Sequence, residues 1–248
     1  YGGIFLENEL RTSSRMFEFT FKLFGQGSAT VPAQGMGEIP KQLAALLPNG
    51  SIQLNQVVKA VGVDSITLES GERIEGCATV VATDGSAAHA LLPGLLSSAP
   101  EWRSVTTLYF AADRSPINEA IICLNGSGSG AVNNVCVISD AAPCYAPEGQ
   151  SLLSVSVLGL VEADGLVEQV RSELLEWFGP QVGSWRHLQT DRIRRGLPEQ
   201  LPNRSAPKSI NQAGVWVCGD HLGSASIEGA VVSGKQTAAA ILAAGDSS

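Results

Sequence analysis

Three observations predict a mixed α/β (α+β) chain. Residues 51 to 84 hold short apolar runs separated by turn residues, the pattern of a small β region. From Trp102 onward, strand-length runs recur at antiparallel spacing and lead into one segment of helical periodicity. Near the C-terminus, a four-residue apolar run is cut by Gly219-Asp220 and followed by a helix rich in Ala and Val.

The 248 residues suffice for one large or two ordinary domains with a real core. A hydrophobic fraction of 44% with 16% charged residues describes a globular chain, not a disordered one. The net charge of −8 argues against nucleic acid and against an anionic membrane surface as partners. No apolar run reaches the length of a membrane span, and there is no signal peptide. Five cysteines (Cys77, Cys123, Cys136, Cys144, Cys218) form no CxxC pair and have mostly apolar neighbours. They read as buried free thiols in a reducing compartment, cytoplasmic or, in a eukaryote, the plastid stroma. Three scattered histidines give no metal centre. The chain opens at Tyr1 without a methionine, inside sequence that reads as ordered, so a piece of a longer protein is expected.

In order along the chain, Ser13 or Ser14 is placed to cap a helix through Met16, Phe17, Leu23 and Phe24, with Gly25 ending it. Its aromatic crowding reads as core or domain-interface packing. Val31 to Pro40 is a Gly- and Pro-rich turn feeding a short amphipathic helix that Pro48-Asn49-Gly50 closes. Ile52-Gln53-Leu54 and Val57 to Val61 are extended runs. Ile66-Thr67-Leu68, the turn Ser70-Gly71-Glu72 and Arg73-Ile74-Glu75 make a hairpin, and Ala78 to Ala82 is a short buried strand ending at Thr83-Asp84-Gly85. Trp102 to Ala112, Ala120 to Leu124, Val132 to Ile138 and Leu152 to Leu160 follow as strands, with Asn125 to Gly130 as a Gly/Ser hairpin loop or mobile tip. Leu166 to Phe178 is a helix stopped by Gly179-Pro180, and Trp185 to Arg195 is a further strand before a return marked by Pro198, Pro202 and Pro207. Arg192, Arg194 and Arg195 read as a solvated face or local ion pairs.

The stretch Gly214 to Lys235, GVWVCGDHLGSASIEGAVVSGK, carries the functional signal. The unpaired N–H groups and positive dipole of a helix start, placed beside an acidic corner, favour an electron-rich oxygen there, while Asp220 can accept from sugar-like hydroxyls. The same residues also describe a terminal helix docked on a sheet, with Asp220 as a turn residue. The order G-D, a small-residue loop, then S-I-E-G-A-V-x-S-G-K resembles the C-terminal flavin signature of the FAD-dependent amine oxidase, protoporphyrinogen oxidase and phytoene desaturase superfamily. The plant-type carotenoid desaturases give its nearest form.

The resemblance implies that Asp220 binds the ribityl chain, with Gly219 beside it among the cofactor-binding residues, and that Glu228, Gly229 and Ala230 present backbone N–H groups to the N1–C2 carbonyl edge of the flavin. LNQVVKAV is similar to the family's L-N-x-P-V strand and puts the adenine contact on Val58, with Val57 where proline is usual. VPAQGMGEIP is similar to the family's P-x-G-G-M turn, with Gln34 replacing a glycine, and RIRRGLPEQLPN to its return into the cofactor domain. On this basis residues 1–30 and 91–205 form a substrate domain of antiparallel sheet and helix. Residues 31–90 and 206–248 form the remainder of a partial, Rossmann-like FAD-binding domain.

That family opens with a βαβ unit reading G-x-G-x-x-G, followed by an acidic ribose ligand. No such unit occurs here, because Gly126-Ser127-Gly128-Ser129-Gly130 sits between strand candidates. The resemblance therefore implies FAD in the full-length protein and its absence from this chain, with surface exposed for self-association as a homodimer. The function implied is dehydrogenation of a small, hydrophobic molecule by hydride transfer to flavin N5. Ser226 stands where many amine oxidases have an aromatic residue, and Thr106 or Thr107 where many have a lysine, which turns the reading away from amines. No catalytic residue is nameable. The alternative is a non-catalytic binding or scaffold module that has lost flavin; a two-dinucleotide nicotinamide reductase lacks both fingerprints.

Overall fold

The computed structural model describes residues 2–94, 99–202 and 210–245. The chain divides into two compact units: Tyr1–Arg11, Glu18–Asn49 and Trp102–Leu197 form the first, and Thr12–Phe17, Gly50–Glu101 and Pro198–Ser248 the second. The sequence boundaries put residues 31–49 with the cofactor portion. They group instead with the first unit, where the Cys144 thiol donates to the Ala33 carbonyl and the Tyr145 hydroxyl to that of Pro32. Pro100 and Glu101 group with the second unit, where Pro100 packs on Gly85.

The N-terminal helices are α1 (Gly2–Phe5), α2 (Ser14–Gln26) and α3 (Glu38–Ala44). Helix α2 begins where the sequence placed it, with the Ser13 carbonyl accepting from Met16 and Phe17. None of its residues is buried, and Phe19, Phe21, Leu23 and Phe24 are exposed, so its aromatics do not form a core. The Ile52 to Leu54 run is not a strand; Asn55, held at φ 60, turns the chain before pairing begins. Strands β1 (Val58–Val61), β2 (Ser65–Leu68) and β3 (Arg73–Glu75) then form an antiparallel meander, with a bulge between Val58 and Ala60.

Strand β4 (Val80–Val81) ends at Asp84, whose carboxylate accepts from the Ser86 and Ala87 N–H groups and caps α4 (Gly85–Leu91). This helix was not anticipated in the sequence; the Thr-Asp-Gly triplet was read as a strand end and is in fact a helix start.

The first unit's centre is a five-stranded sheet in the order β6-β7-β8-β5-β9. Its members are β5 (Trp102–Ala112), β6 (Ile122–Leu124), β7 (Val132–Val137), β8 (Ser151–Leu158) and β9 (Arg186–Pro198), with α5 (Ile138–Ala141) and α6 (Leu166–Phe178) between them. Alternation in β8, buried at Ser151, Leu153, Val155 and Val157, turns one face to the core. Leu166, Val170 and Leu174 of α6 cover that face with Phe110, Val135 and Trp185. Gly179 (φ 75) ends α6 by donating to the Leu175 carbonyl.

The Asn125 to Gly130 segment is the β6–β7 hairpin loop. The Asn125 amide donates to the Ser129 and Val132 carbonyls, and the Glu173 carboxylate accepts from the Ala131 and Val132 N–H groups. Arg194 pairs with Glu162 at 2.7 Å, and Arg192 donates to the Val161 carbonyl, the local pairing expected of that basic run. Cys77 and Cys144 are exposed rather than buried, Cys123 and Cys136 are half-buried, and Cys218 is buried; all five are free.

In the second unit, β10 (Ile210–Gln212) pairs antiparallel with β11 (Val215–Val217) across a tight turn in which the Asn211 side chain accepts from the Gly214 N–H. β11 lies parallel to β4, Trp216 opposite Val80 and Val217 opposite Val81. Helix α7 (Ile227–Gly245) follows. Val81, Ala88, Val215, Val217 and Leu222 form the core of this unit, with Val61 of β1 packed against it. The expectation for Pro207 lies outside the described residues.

Candidate functional site

Two parallel strands end side by side, and each ends in an acidic corner. β4 runs into Thr83-Asp84-Gly85, and β11 into Gly219-Asp220. Crevices at the carboxyl ends of parallel strands are where ligands bind in such sheets, because the backbone there is no longer committed to a ladder. The Gly219 N–H donates to the Ser233 hydroxyl of α7 at 3.0 Å, which ties the corner to the helix behind it. A Cβ on Gly219 would lie 2.5 Å from the His221 ring and one on Gly85 3.0 Å from it, so both corners admit only glycine while that ring is in place. His221 is itself only 6% exposed.

Asp220 is half-buried, at the start of a short 3-10 turn through Leu222 in which its carbonyl accepts from the Gly223 N–H. Burial pushes its carboxyl above the usual carboxylate range; the charge of His221 and hydrogen bonds from the His221 and Asp220 backbone pull it down, and the Asp84 carboxylate pushes it up. A carboxylate in that setting gains from hydrogen-bond donors supplied from outside, such as hydroxyls.

Ser226 is the cap of α7: its hydroxyl accepts from the Gly229 N–H at 3.0 Å and its carbonyl from that of Ala230. A Cβ at Gly229 would sit 1.8 Å from the Ser224 carbonyl oxygen, so the loop can close over the helix start only on glycine. Ser224 also meets the Ser226 hydroxyl at 3.1 Å, and the Gln200 amide donates to the Gly223 carbonyl. With the Gly229 and Ala230 donors engaged by Ser226, the first-turn N–H groups with no acceptor among the described residues are those of Ile227 and Glu228. The resemblance puts the backbone contact on Glu228, Gly229 and Ala230; of these, Gly229 and Ala230 donate to Ser226.

Gly219, Asp220, Glu228, Gly229 and Ala230 thus stand around one strand end and one helix start. Val58 lies in the same unit, half-buried on β1 opposite Leu68 and next to the bulge. Asp84, His221, Ser226 and Ser233 shape the corner as well. Asp84 was legible as the Thr-Asp-Gly break, and His221 as the residue after the acidic corner, but nothing in the sequence marked either as part of it. Thr106 and Thr107, the two residues set against the expected lysine position, are both buried; Thr106 donates to the Gly159 carbonyl and accepts from the Val161 N–H, so its hydroxyl is spent within the first unit. Among the described residues no group of three His, Cys, Asp or Glu is placed to hold a metal, and no helix is long and apolar enough to cross a membrane.

The fold, helices with mainly antiparallel sheets, is similar to FAD-dependent oxidoreductase folds. It is similar to a protein assigned as a protoporphyrinogen oxidase from Exiguobacterium sp. 255-15 (TM-score 0.64, 16% identity, 84% of this chain and 51% of that one). It is also similar to cyclohexylamine oxidase from Brevibacterium oxydans IH-35A (TM-score 0.61, 17% identity, 84% and 52%). Reduced UDP-galactopyranose mutase gives a TM-score of 0.61 at 13% identity, with 80% of this chain and 52% of that one covered. The chain spans about half the length of these solved structures. The model of the flavin containing amine oxidoreductases matches residues 1–242, and the chain belongs to that family. A search of curated proteins returned no match.

Proposed function

We propose that the second unit is the remaining portion of a Rossmann-like FAD-binding domain and the first unit the substrate domain of a flavin-dependent dehydrogenase. The single observation that carries this reading is the acidic corner at the carboxyl end of the β4–β11 pair, tied through Gly219 to Ser233 of α7. The donor set fits the group: Asp220 would accept from ribityl hydroxyls, and the helix start at Ile227 and Glu228 would offer its N–H groups to the carbonyl edge. A flavin bound there would supply the electron acceptor for a hydride equivalent from a substrate carbon.

The protein's own share is orientation, exclusion of water and stabilisation of charge at the helix start. A small hydrophobic substrate is favoured over an amine, since Ser226 caps α7 where an aromatic would stand, and the lysine position falls on Thr106 or Thr107, both buried and uncharged. A reducing compartment suits five free thiols.

Because the chain spans half of its structural relatives, we further propose that it holds FAD poorly alone and is inactive without the remainder. Ultraviolet-visible spectra of this chain and of a longer form test both statements. The expected outcome is flavin absorbance in the longer form, bleached by the right substrate, and little in the 248 residues. Stoichiometric flavin in the short chain would sink the second statement, and none in the longer form would sink the first.

A further inference from the structure

The His221 ring is more than nine-tenths buried at the point where β4 and β11 end, and the surrounding backbone is shaped to it. On one side its Cε1 and Nδ1 lie 2.5 and 2.6 Å from where a Gly219 Cβ would stand. On the other its Cβ and Cγ lie 3.0 Å from that of Gly85, the first residue of α4. The same ring therefore bears on both acidic corners. The charged groups that act there are Asp220 on its own turn and Asp84 at the β4–α4 corner; α7 contributes the uncharged Ser233 hydroxyl.

A carboxylate one residue from a turn moves with that turn. If the ring were removed, the Gly219-Asp220 backbone would keep its hydrogen bonds to Ser233, Leu222 and Gly223 but lose the contact that fills the place of a side chain at 219. The Asp84 carboxylate opposes ionisation of Asp220 while His221 favours it, so the imidazole also balances two like charges at one strand end.

We propose that His221 is a positioning residue of the flavin corner: wedged between the ends of β4 and β11, its ring sets where the Asp220 carboxylate stands for the ribityl chain. This rests on the flavin reading above. The test combines two readouts on the full chain and its longer form: FAD titration followed by flavin fluorescence, and the Asp220 carboxyl followed by carbon NMR across pH.

His221→Ala removes the ring, and His221→Phe keeps one of similar breadth. His221→Ala should bind FAD about tenfold more weakly and shift the Asp220 titration, while His221→Phe should bind FAD as the parent does. FAD binding in His221→Ala equal to that of the parent overturns the proposal, and so does an equal loss in both variants. Should His221→Ala not fold, His221→Gln, which also lacks the ring, is read by the same criteria against His221→Phe. If the parent's longer form takes no FAD, the flavin reading fails. The carboxyl titration then still decides whether the ring governs Asp220: a shift in His221→Ala upholds that control and no shift removes it.

Discussion

The two units hold themselves together differently. The first buries one face of a five-stranded sheet under α6, and Leu108, Phe110, Val135, Val155, Val170 and Leu174 are fully inaccessible. The second centres on Val81, Ala88, Val215, Val217 and Leu222, while Val57, Val80, Ile227, Val231 and Leu242 remain exposed. One unit is stabilised by packed area. The other leans on caps, on glycine contacts and on a handful of side chains, and it is there that the acidic corner sits. Precision at that corner is obtained by fixing backbone, not by volume.

Substitutions should separate these two modes of stabilisation. Phe110→Ala empties the centre of the first unit, where the ring also meets Trp185 and the Arg171 guanidinium, and should cost about 3–5 kcal/mol in denaturant unfolding. Val217→Ala removes less volume from a smaller core and should cost about 2 kcal/mol. Equal losses at the two sites would erase the distinction.

Next in size is Glu173→Gln. It weakens the acceptor for the Ala131 and Val132 N–H groups and should cost about 1–2 kcal/mol, read as faster hydrogen exchange confined to the β6–β7 hairpin. Ser226→Ala strips the cap from α7 and should cost about 1 kcal/mol, with fraying at the helix start visible in exchange at Gly229.

The smallest effect is a matter of sign. Because folding raises the Asp220 pKa, the protonated form is the one folding favours. Its stabilising contribution is present below the unfolded pKa and is lost as pH rises through the folded one. Asp220→Asn should therefore leave stability unchanged in acid and raise it slightly at neutral pH, while weakening FAD binding in the longer form. Thermal melts at both pH values check this; destabilisation at neutral pH would contradict it.

Much of the fold was legible because the first unit obeys local rules. The alternation in Ser151 to Leu158, the helical spacing from Leu166 and the Gly179-Pro180 stop all agree with the final packing. Errors gathered where local pattern and tertiary use diverge. Ile52 to Leu54 has strand composition but no partner strand, and the aromatic helix α2 reads as core yet buries nothing. Strand β10 and helix α4 were missed, one because it pairs only through the Gly214 turn, the other because Asp84 serves as a cap in what resembled a strand end. At the corner, the sequence signature marked residues that lie at the end of β11 and the start of α7. It did not reveal that Ser226 takes the Gly229 donor, since a serine's acceptor role depends on a rotamer, not on spacing.

One further hydrogen bond bears on how such a chain assembles itself. The Glu199 N–H meets the Glu101 carbonyl at 2.9 Å, so the polypeptide leaves for β5 and comes back from β9 at a single doorway. Trp216 must find Val80 across a very long stretch of chain. If the intervening sheet folds first, that search shrinks to a short tether, and most of the closure entropy has already been spent. Synthesis would then leave β4 waiting, half a sheet, until the ribosome delivers its neighbour.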